Sequence, residues 1–302
     1  MPIILPKGLP ARHALNAEGV ALRPESSCGD GCPIRVALLN LMPRKTTTEI
    51  QIARLLSSTP HTVDLTLIVP DSYISGTTPA FHLAAFYKRW SAVRAMSFDA
   101  LIVTGAPIEH VPFEDVTYWS EITGVFDWAT EKVSHSYYIC WAAQAALYYF
   151  HGVPKHKLER KRFGVYEQTI LRPRHPLFDG LRRDFPACVS RHTETWGKDL
   201  PSDRGLDVLA ASPQSGLCLV EDRDRHALYM FNHLEYDADT LAEEYRRDLE
   251  AGAEIAVPAN YYPFDDPTRQ PQNVWQPHAR RIFRNWLGEM AQRPEAARAA
   301  GA

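Results

Sequence analysis

The chain is short of the patterns that mark several classes of protein. It has five cysteines, an odd number at irregular spacing, which excludes a disulfide framework and leaves each thiol to be read by its surroundings. Nowhere does it approach the ~18 consecutive apolar residues of a membrane-spanning helix, and its first seven residues lack the basic and apolar regions of a secretory leader. A cytoplasmic protein without membrane contact is expected. Nor is there an excess of one charge: 33 Lys and Arg stand against 36 Asp and Glu, for a formal net charge of -3. The bases are spread along the chain, so the electrostatic footprint of a nucleic-acid binder is missing. Cys28 and Cys32, in CGDGC, supply two ligands where a structural zinc needs four, and no second pair follows at ligand spacing, so no metal is expected.

What is present is ordinary for a globular protein: 302 residues, 45% of them hydrophobic and 23% charged. That length allows one large domain or two. The pattern reads as an extension over 1–33, a single α/β domain over 34–290 and a frayed Ala-rich tail over 291–302. Apolar, β-branched runs at 34–41 (IRVALLNL), 63–69 (VDLTLIV), 99–103 (DALIV) and 137–139 read as buried strands. A polar loop at 44–48 leads into a helix over 49–57. Thr78-Pro79 looks like a helix start, with Phe86, Trp90 and Val93 following at helical spacing, and Trp119, Ile122, Phe126 and Ala129 mark another helix over 117–132. The second half is less regular, with short strands at 206–210, 216–220 and 227–231 and helices over 239–249 and 277–287. Strands without a polar face, alternating with helices, imply a mostly parallel sheet flanked by helices. Such sheets bind ligands in the loops after their strands, which singles out 43–48, 105–113 and the turn at Cys140.

Cys140 follows a strand directly and precedes AAQAALYYF, a run of helix formers that is apolar almost all round. A thiol on such a turn occupies a nucleophile elbow, where a helix N-terminus favours the thiolate and offers free N–H groups to an oxyanion. The alternative is a buried cysteine packing as a small hydrophobe. A thiol nucleophile needs a base, and MFNHLEY offers one: His233 stands at the end of an apolar strand, with Glu235 two residues on to orient it. Against this, eleven other histidines are present, and His233 would serve equally well as a loop hydrogen-bonder. The elbow cysteine with a later His-x-Glu is more specific than either part, and is similar to the class I glutamine amidotransferase fold, a flavodoxin-like architecture. That fold hosts several activities and names no reaction.

Six blocks carry a closer resemblance: NLMPRK (40–45), TGAPIE (104–109), CWAAQAAL (140–147), GVYE (164–167), HLEYD (233–237) and NYYPFDDP (260–267). Together they resemble the homoserine O-acyltransferases of the homoserine trans-succinylase family. The resemblance implies Cys140 as the acyl-carrying nucleophile, His233 as proton acceptor, Glu235 as its partner, and substrate contacts from Lys161, Ser190 and Arg247. It implies acetyl-CoA and L-homoserine as substrates, no bound cofactor and a homodimer. Residue by residue the last three contacts look bland: Lys161 lies in a basic run, KHKLERKR, that reads as a solvated face, Ser190 says nothing alone, and Arg247 falls opposite Leu241 and Tyr245 on its helix. An amino-acid carboxylate does want an Arg. Glu109, with Ser190, stands where the family separates acyl donors, Glu resembling the acetyl type and Gly the succinyl type. One departure is Asn232, where many relatives have Gly, which puts the backbone path into the site in question.

Overall fold

The structure is a computed structural model that describes residues 3–24, 32–74, 76–181 and 184–292. Cys28 and the tail beyond residue 292 lie outside the described residues, while Cys32 is an exposed free thiol. In chain order the elements are β1 (Ile3–Ile4), α1 (Pro10–Ala17), β2 (Leu22–Arg23), β3 (Ile34–Leu39), α2 (Lys45–Leu56), β4 (Val63–Val69), α3 (Ala80–Phe86), β5 (Tyr87–Arg89), α4 (Trp90–Val93), β6 (Phe98–Val103), α5 (Trp119–Lys132), β7 (Val133–Ile139), α6 (Trp141–His151), β8 (His156–Ile170), β9 (Asp184–Glu194), β10 (Leu206–Ser212), β11 (Gly216–Asp222), β12 (Ala227–Met230), α7 (Thr240–Glu250) and α8 (Gln276–Ala291).

One sheet runs through the molecule in the order β2-β1-β4-β3-β6-β7-β12-β11-β10-β8-β9, with β5 paired to β4. From β2 to β12 every pairing is parallel, and from β12 to β9 every pairing is antiparallel. The central parallel strands β3, β6 and β12 are buried on both faces, as continuous apolar runs require, whereas β2 and β5 are partly exposed. Val36 and Leu38 of β3 pack with α1, α2 and α8 on one face, whereas Ala37 and Leu39 pack with α5 and α6 on the other. Residues 1–33, read as an extension, contribute β1, α1 and β2 to this sheet, with Ile3, Leu5, Leu9 and Leu15 in its core. A smaller cluster, with Phe163, Tyr236, Leu241, Tyr261 and Trp275, ties the antiparallel half to α7. Among the described residues no helix is long and apolar enough to cross a membrane.

Three local expectations are corrected. Residues 45–48 are the first turn of α2 and not a loop. The helix expected to run on to Val93 breaks at Tyr87–Arg89, which pairs with β4. Helical spacing loses there because Tyr87 donates its hydroxyl to Glu49 at 2.6 Å and Arg89 donates to the carbonyls of Pro70, Asp71 and Tyr73, bonds available only to an extended segment beside β4. Thr78 does not cap α3, since the N-cap position is Pro79; its hydroxyl donates instead to Pro43 O at 3.2 Å. The long hairpin β8–β9 was not foreseen, because its strands mix charged and apolar residues without clean alternation.

Candidate active site

Cys140 stands alone between the last residue of β7 and the first of α6, at φ 52° and ψ -113°. A left-handed backbone at a residue with a Cβ costs on the order of 1–3 kcal/mol and survives only where its surroundings enforce it. Here Cys140 N donates to Met230 O at 2.7 Å, Cys140 O accepts from Gln144 N, and α6 is buried through its first seven residues. The turn leaves the first N–H groups of α6, at Trp141 and Ala142, without acceptors inside the helix. Gly105, in the loop two residues beyond β6, explains part of the TGAPIE block. A Cβ there would lie 3.2 Å from Cys140 Cβ and 3.8 Å from its Sγ, so any larger residue would crowd the thiol.

β12 lies beside β7 in parallel, with Met230 opposite Ile139, so both chains leave the sheet at the same edge. His233 is fixed there by its N–H, which donates to Cys188 O at 2.8 Å, and by its ring, stacked on Tyr236 at 4.1 Å and 19°. Its Nδ1–H donates to Glu235 Oε1 at 2.6 Å, which leaves Nε2 for the cavity it shares with Cys140, whose sulfur is near enough to act on the imidazole. Burial alone would lower the pKa of this imidazole. The Glu235 carboxylate and the Cys140 sulfur outweigh burial and hold it well above the usual histidine range. Asn232 takes a role that glycine could not: its Oδ1 accepts from the buried Arg191 guanidinium at 2.7 Å. Asn232 is also absent from the residues of positive φ, so the backbone there does not require glycine. Arg191 further donates to Phe231 O at 3.2 Å and to Ser215 O, and Cys140 and Glu194 oppose the lowering that burial imposes on it.

Cys140 and His233 open into a cavity of about 180 Å³ whose walls include Gly105, Glu109, Lys161, Ser190, His192, Glu244 and Arg247. All four outlying residues of the sequence reading therefore face one space with the thiol. The expectation that Lys161 lies on a solvated face is corrected, since its side chain is 9% exposed. Between the pairs Lys157–Thr193 and Arg162–Arg191 the strand β8 bulges out opposite His192 alone, and such a bulge re-aims a side chain. Lys161 Nζ then lies 3.0 Å from Asp248 and 3.3 Å from Glu244, above the Phe163 ring. Arg247 stays mostly exposed, as its helical phase indicates, yet it borders the cavity and pairs with Asp248 at 2.6 Å.

Sequence reading missed the residue that joins this wall together. Glu244 accepts from Ser190 Oγ at 2.5 Å and from Tyr236 OH at 2.8 Å while contacting Lys161. A signal existed: Glu244, Arg247 and Asp248 stand at i, i+3 and i+4, one polar stripe of α7. His192 was also missed. It packs against His110 with ring centroids 4.8 Å apart, and burial is the main reason its pKa falls below the ordinary value. The opposite wall comes from the NLMPRK block, whose Met42 and Pro43 line the cavity. Buried Lys45 holds it by donating to Asn40 O at 2.5 Å and Met42 O at 3.2 Å. Among the described residues no group of three or more His, Cys, Asp or Glu is placed to hold a metal ion.

Solved structures of similar fold include a glutamine amidotransferase from Thermotoga maritima, at a TM-score of 0.60 and 13% identity, covering 87% of this chain and 100% of that one. A glutamine amidotransferase from Methylobacillus flagellatus matches at 0.54 and 11%, covering 88% and 97%. At such identities the likeness concerns fold alone, a class I glutamine amidotransferase-like sheet. Curated proteins named homoserine O-acetyltransferase, from Brucella canis and Brucella suis, are each 48% identical over 294 residues, 97% of this chain and 96% of theirs. The family model described as homoserine O-succinyltransferase matches residues 2–295. With that match spanning nearly the whole sequence, the chain belongs to the homoserine O-succinyltransferase family of acyltransferases.

Proposed function

We propose that the protein transfers an acetyl group from acetyl-CoA to the hydroxyl of L-homoserine, through a thioester on Cys140. The observation that carries the reading is that the Cys140 thiol, on a strained elbow, shares one cavity with a buried His233 that Glu235 orients. With His233 holding the proton, the thiolate attacks the thioester carbonyl, and the free N–H groups of α6 receive the oxyanion. Coenzyme A leaves as its thiolate and takes the proton from His233. Acylation removes the sulfur's negative charge, one of the influences that raise His233, so the imidazole gives up its proton more readily and stands as the free base for the second step. It then accepts the homoserine proton as the hydroxyl oxygen attacks the acyl-cysteine, and on collapse the Cys140 sulfur leaves as the thiolate. His233 again holds the proton, and kinetics are ping-pong. In this reading Lys161, Ser190 and Arg247 hold the acceptor, with Arg247 toward its carboxylate.

The family description favours a second donor, succinyl-CoA, and Glu109 is the residue that argues against it. Its carboxylate lies on the cavity wall, near enough to His192 to act on it electrostatically. A succinyl carboxylate about 4 Å away would be repelled by between about 1 and 4 kcal/mol, depending on how far water screens the pair. Among the described residues the buried thiols Cys140, Cys188 and Cys218 are free, which suits a reducing cytoplasm, and a homodimer goes with the family resemblance. Intact mass after brief exposure to each donor tests the reading. An acetyl-sized adduct, absent from Cys140→Ser and discharged by homoserine, is the expected result. A succinyl adduct alone would overturn the role of Glu109, and no adduct from either donor would overturn the acyl-cysteine.

A further inference from the structure

The cavity at Cys140 is too small for the whole of its proposed donor. About 180 Å³ accommodates an acyl group and a small amino acid, whereas ligands of drug size or larger occupy roughly 300–1,000 Å³. Coenzyme A therefore has to lie mostly outside it. Beyond Lys161, His192 and Arg247, which border both spaces, a second cavity of about 770 Å³ opens between β8 and the segment 253–259. Its walls include Phe163, Tyr166, Ile255 and Val257. A further recess of about 410 Å³ adjoins it, sharing Glu159, Arg160, Lys161 and Tyr166 with it and bordered also by Arg162. Arg160 is exposed, with no ionic partner among the described residues.

The chemistry changes along this path in the order that coenzyme A demands. A thiol end meets Cys140, a pantetheine arm of amides and methyl groups passes apolar and aromatic side chains, and a polyphosphate nucleotide reaches the exposed guanidinium of Arg160 and the half-buried one of Arg162. Arg162 also donates to Gln214 O at 2.7 Å and lies 3.9 Å from Glu194. We infer that the groove between the β8 bulge and segment 253–259 seats the pantetheine arm of the acyl-CoA donor, with Arg160 and Arg162 taking its phosphates. This rests on the reading of the protein as an acyl-CoA-dependent transferase. It also accounts for the glycine of the GVYE block. Segment 253–259 docks on β8 through Ala259, whose N–H donates to Phe163 O at 3.0 Å and whose carbonyl accepts from Val165 N at 2.8 Å. A Cβ on Gly164, at φ +146°, would lie 2.3 Å from Ala259 O, so only glycine lets this wall close.

Three thioesters separate the parts of the donor: acetyl-CoA, S-acetylpantetheine, which lacks the nucleotide, and S-acetyl-N-acetylcysteamine, which lacks most of the arm as well. Arg160→Glu is expected to raise KM for acetyl-CoA at least ~10-fold, the loss of one charge-assisted contact, and to leave both shorter thioesters unaffected. Ile255→Asp is expected to raise KM for acetyl-CoA and S-acetylpantetheine but not for S-acetyl-N-acetylcysteamine. An unchanged acetyl-CoA KM in both variants, or an equal loss with all three thioesters, would overturn the groove. Calorimetric titration of the wild type and Arg160→Glu with coenzyme A itself separates this inference from the reading beneath it. Should no thioester acylate the wild type, that reading fails, and the groove stands only if coenzyme A binds the wild type and binds Arg160→Glu more weakly.

Discussion

The two halves of the sheet divide the labour differently. The parallel half places Cys140 and His233 at the ends of neighbouring strands, β7 and β12, and backs them with Gly105 from the loop after β6. Its geometry follows from strand direction, because parallel strands all deliver their following loops to one edge. The antiparallel half has no such shared edge. It reaches the same cavity through an interruption, the bulge that turns Lys161 inward, and through α7 packed across the hairpin. Its side chains therefore work as a mutually bonded set, Lys161, Ser190, Glu244 and Asp248, rather than as separately placed groups. On the proposed reading the parallel half supplies the covalent chemistry, and the antiparallel half supplies the fit of the substrates, the acceptor against α7 and the donor along β8.

The largest effect is expected from removing the nucleophile. Cys140→Ala should lower turnover by at least ~10³-fold and abolish the acyl adduct, and an adduct on the variant of unchanged mass shift would move the chemistry to another residue. Glu235→Gln should cost roughly 10²- to 10⁴-fold, because the imidazole loses both its orienting carboxylate and an influence that holds its proton. Both half-reactions should slow, visible in single-turnover acylation and deacylation. In the antiparallel half, Glu244→Gln should leave acylation nearly intact and weaken homoserine about 10-fold, by loosening Ser190, Tyr236 and Lys161 together. Equal damage to both half-reactions would erase the division between halves.

The same division decides what was legible in the sequence. Residues 34–39, 63–69 and 98–103 announce themselves as buried strands because they are short, mostly apolar runs interrupted only by Arg35, Asp64, Thr66 and Asp99, so the parallel half, the elbow and the edge that carries His233 could be read from pattern. The hairpin could not. Its β8 strand carries KHKLERKR, a run that reads as solvated until the bulge shows which lysine turns inward. Lys161, Ser190 and Arg247 came from resemblance, and Glu244 and His192 only from geometry. Contacts made through a bulge have no period in the sequence.

A buried lysine of the parallel half carries the comparison into pH dependence, with the smallest expected effect. Lys45, in the parallel half, bonds only to carbonyl oxygens, and burial lowers its pKa from 10.5 to about 7, with Glu49 opposing. Between about pH 7 and 10.5 the unfolded chain then carries a proton on this lysine that the folded protein does not. A group depressed in this way makes stability rise with pH across that window, and below it both states are protonated and the contribution is flat. Lys45→Met should therefore remove part of the rise in melting temperature between neutral and alkaline pH, a difference that thermal unfolding of the two proteins at matched pH values measures. If the wild type and Lys45→Met kept parallel profiles, the lysine would retain its proton in the fold, and the carbonyl oxygens, the Tyr73 ring 4.2 Å away and Glu49 would together suffice to hold a buried charge against the wall of the site.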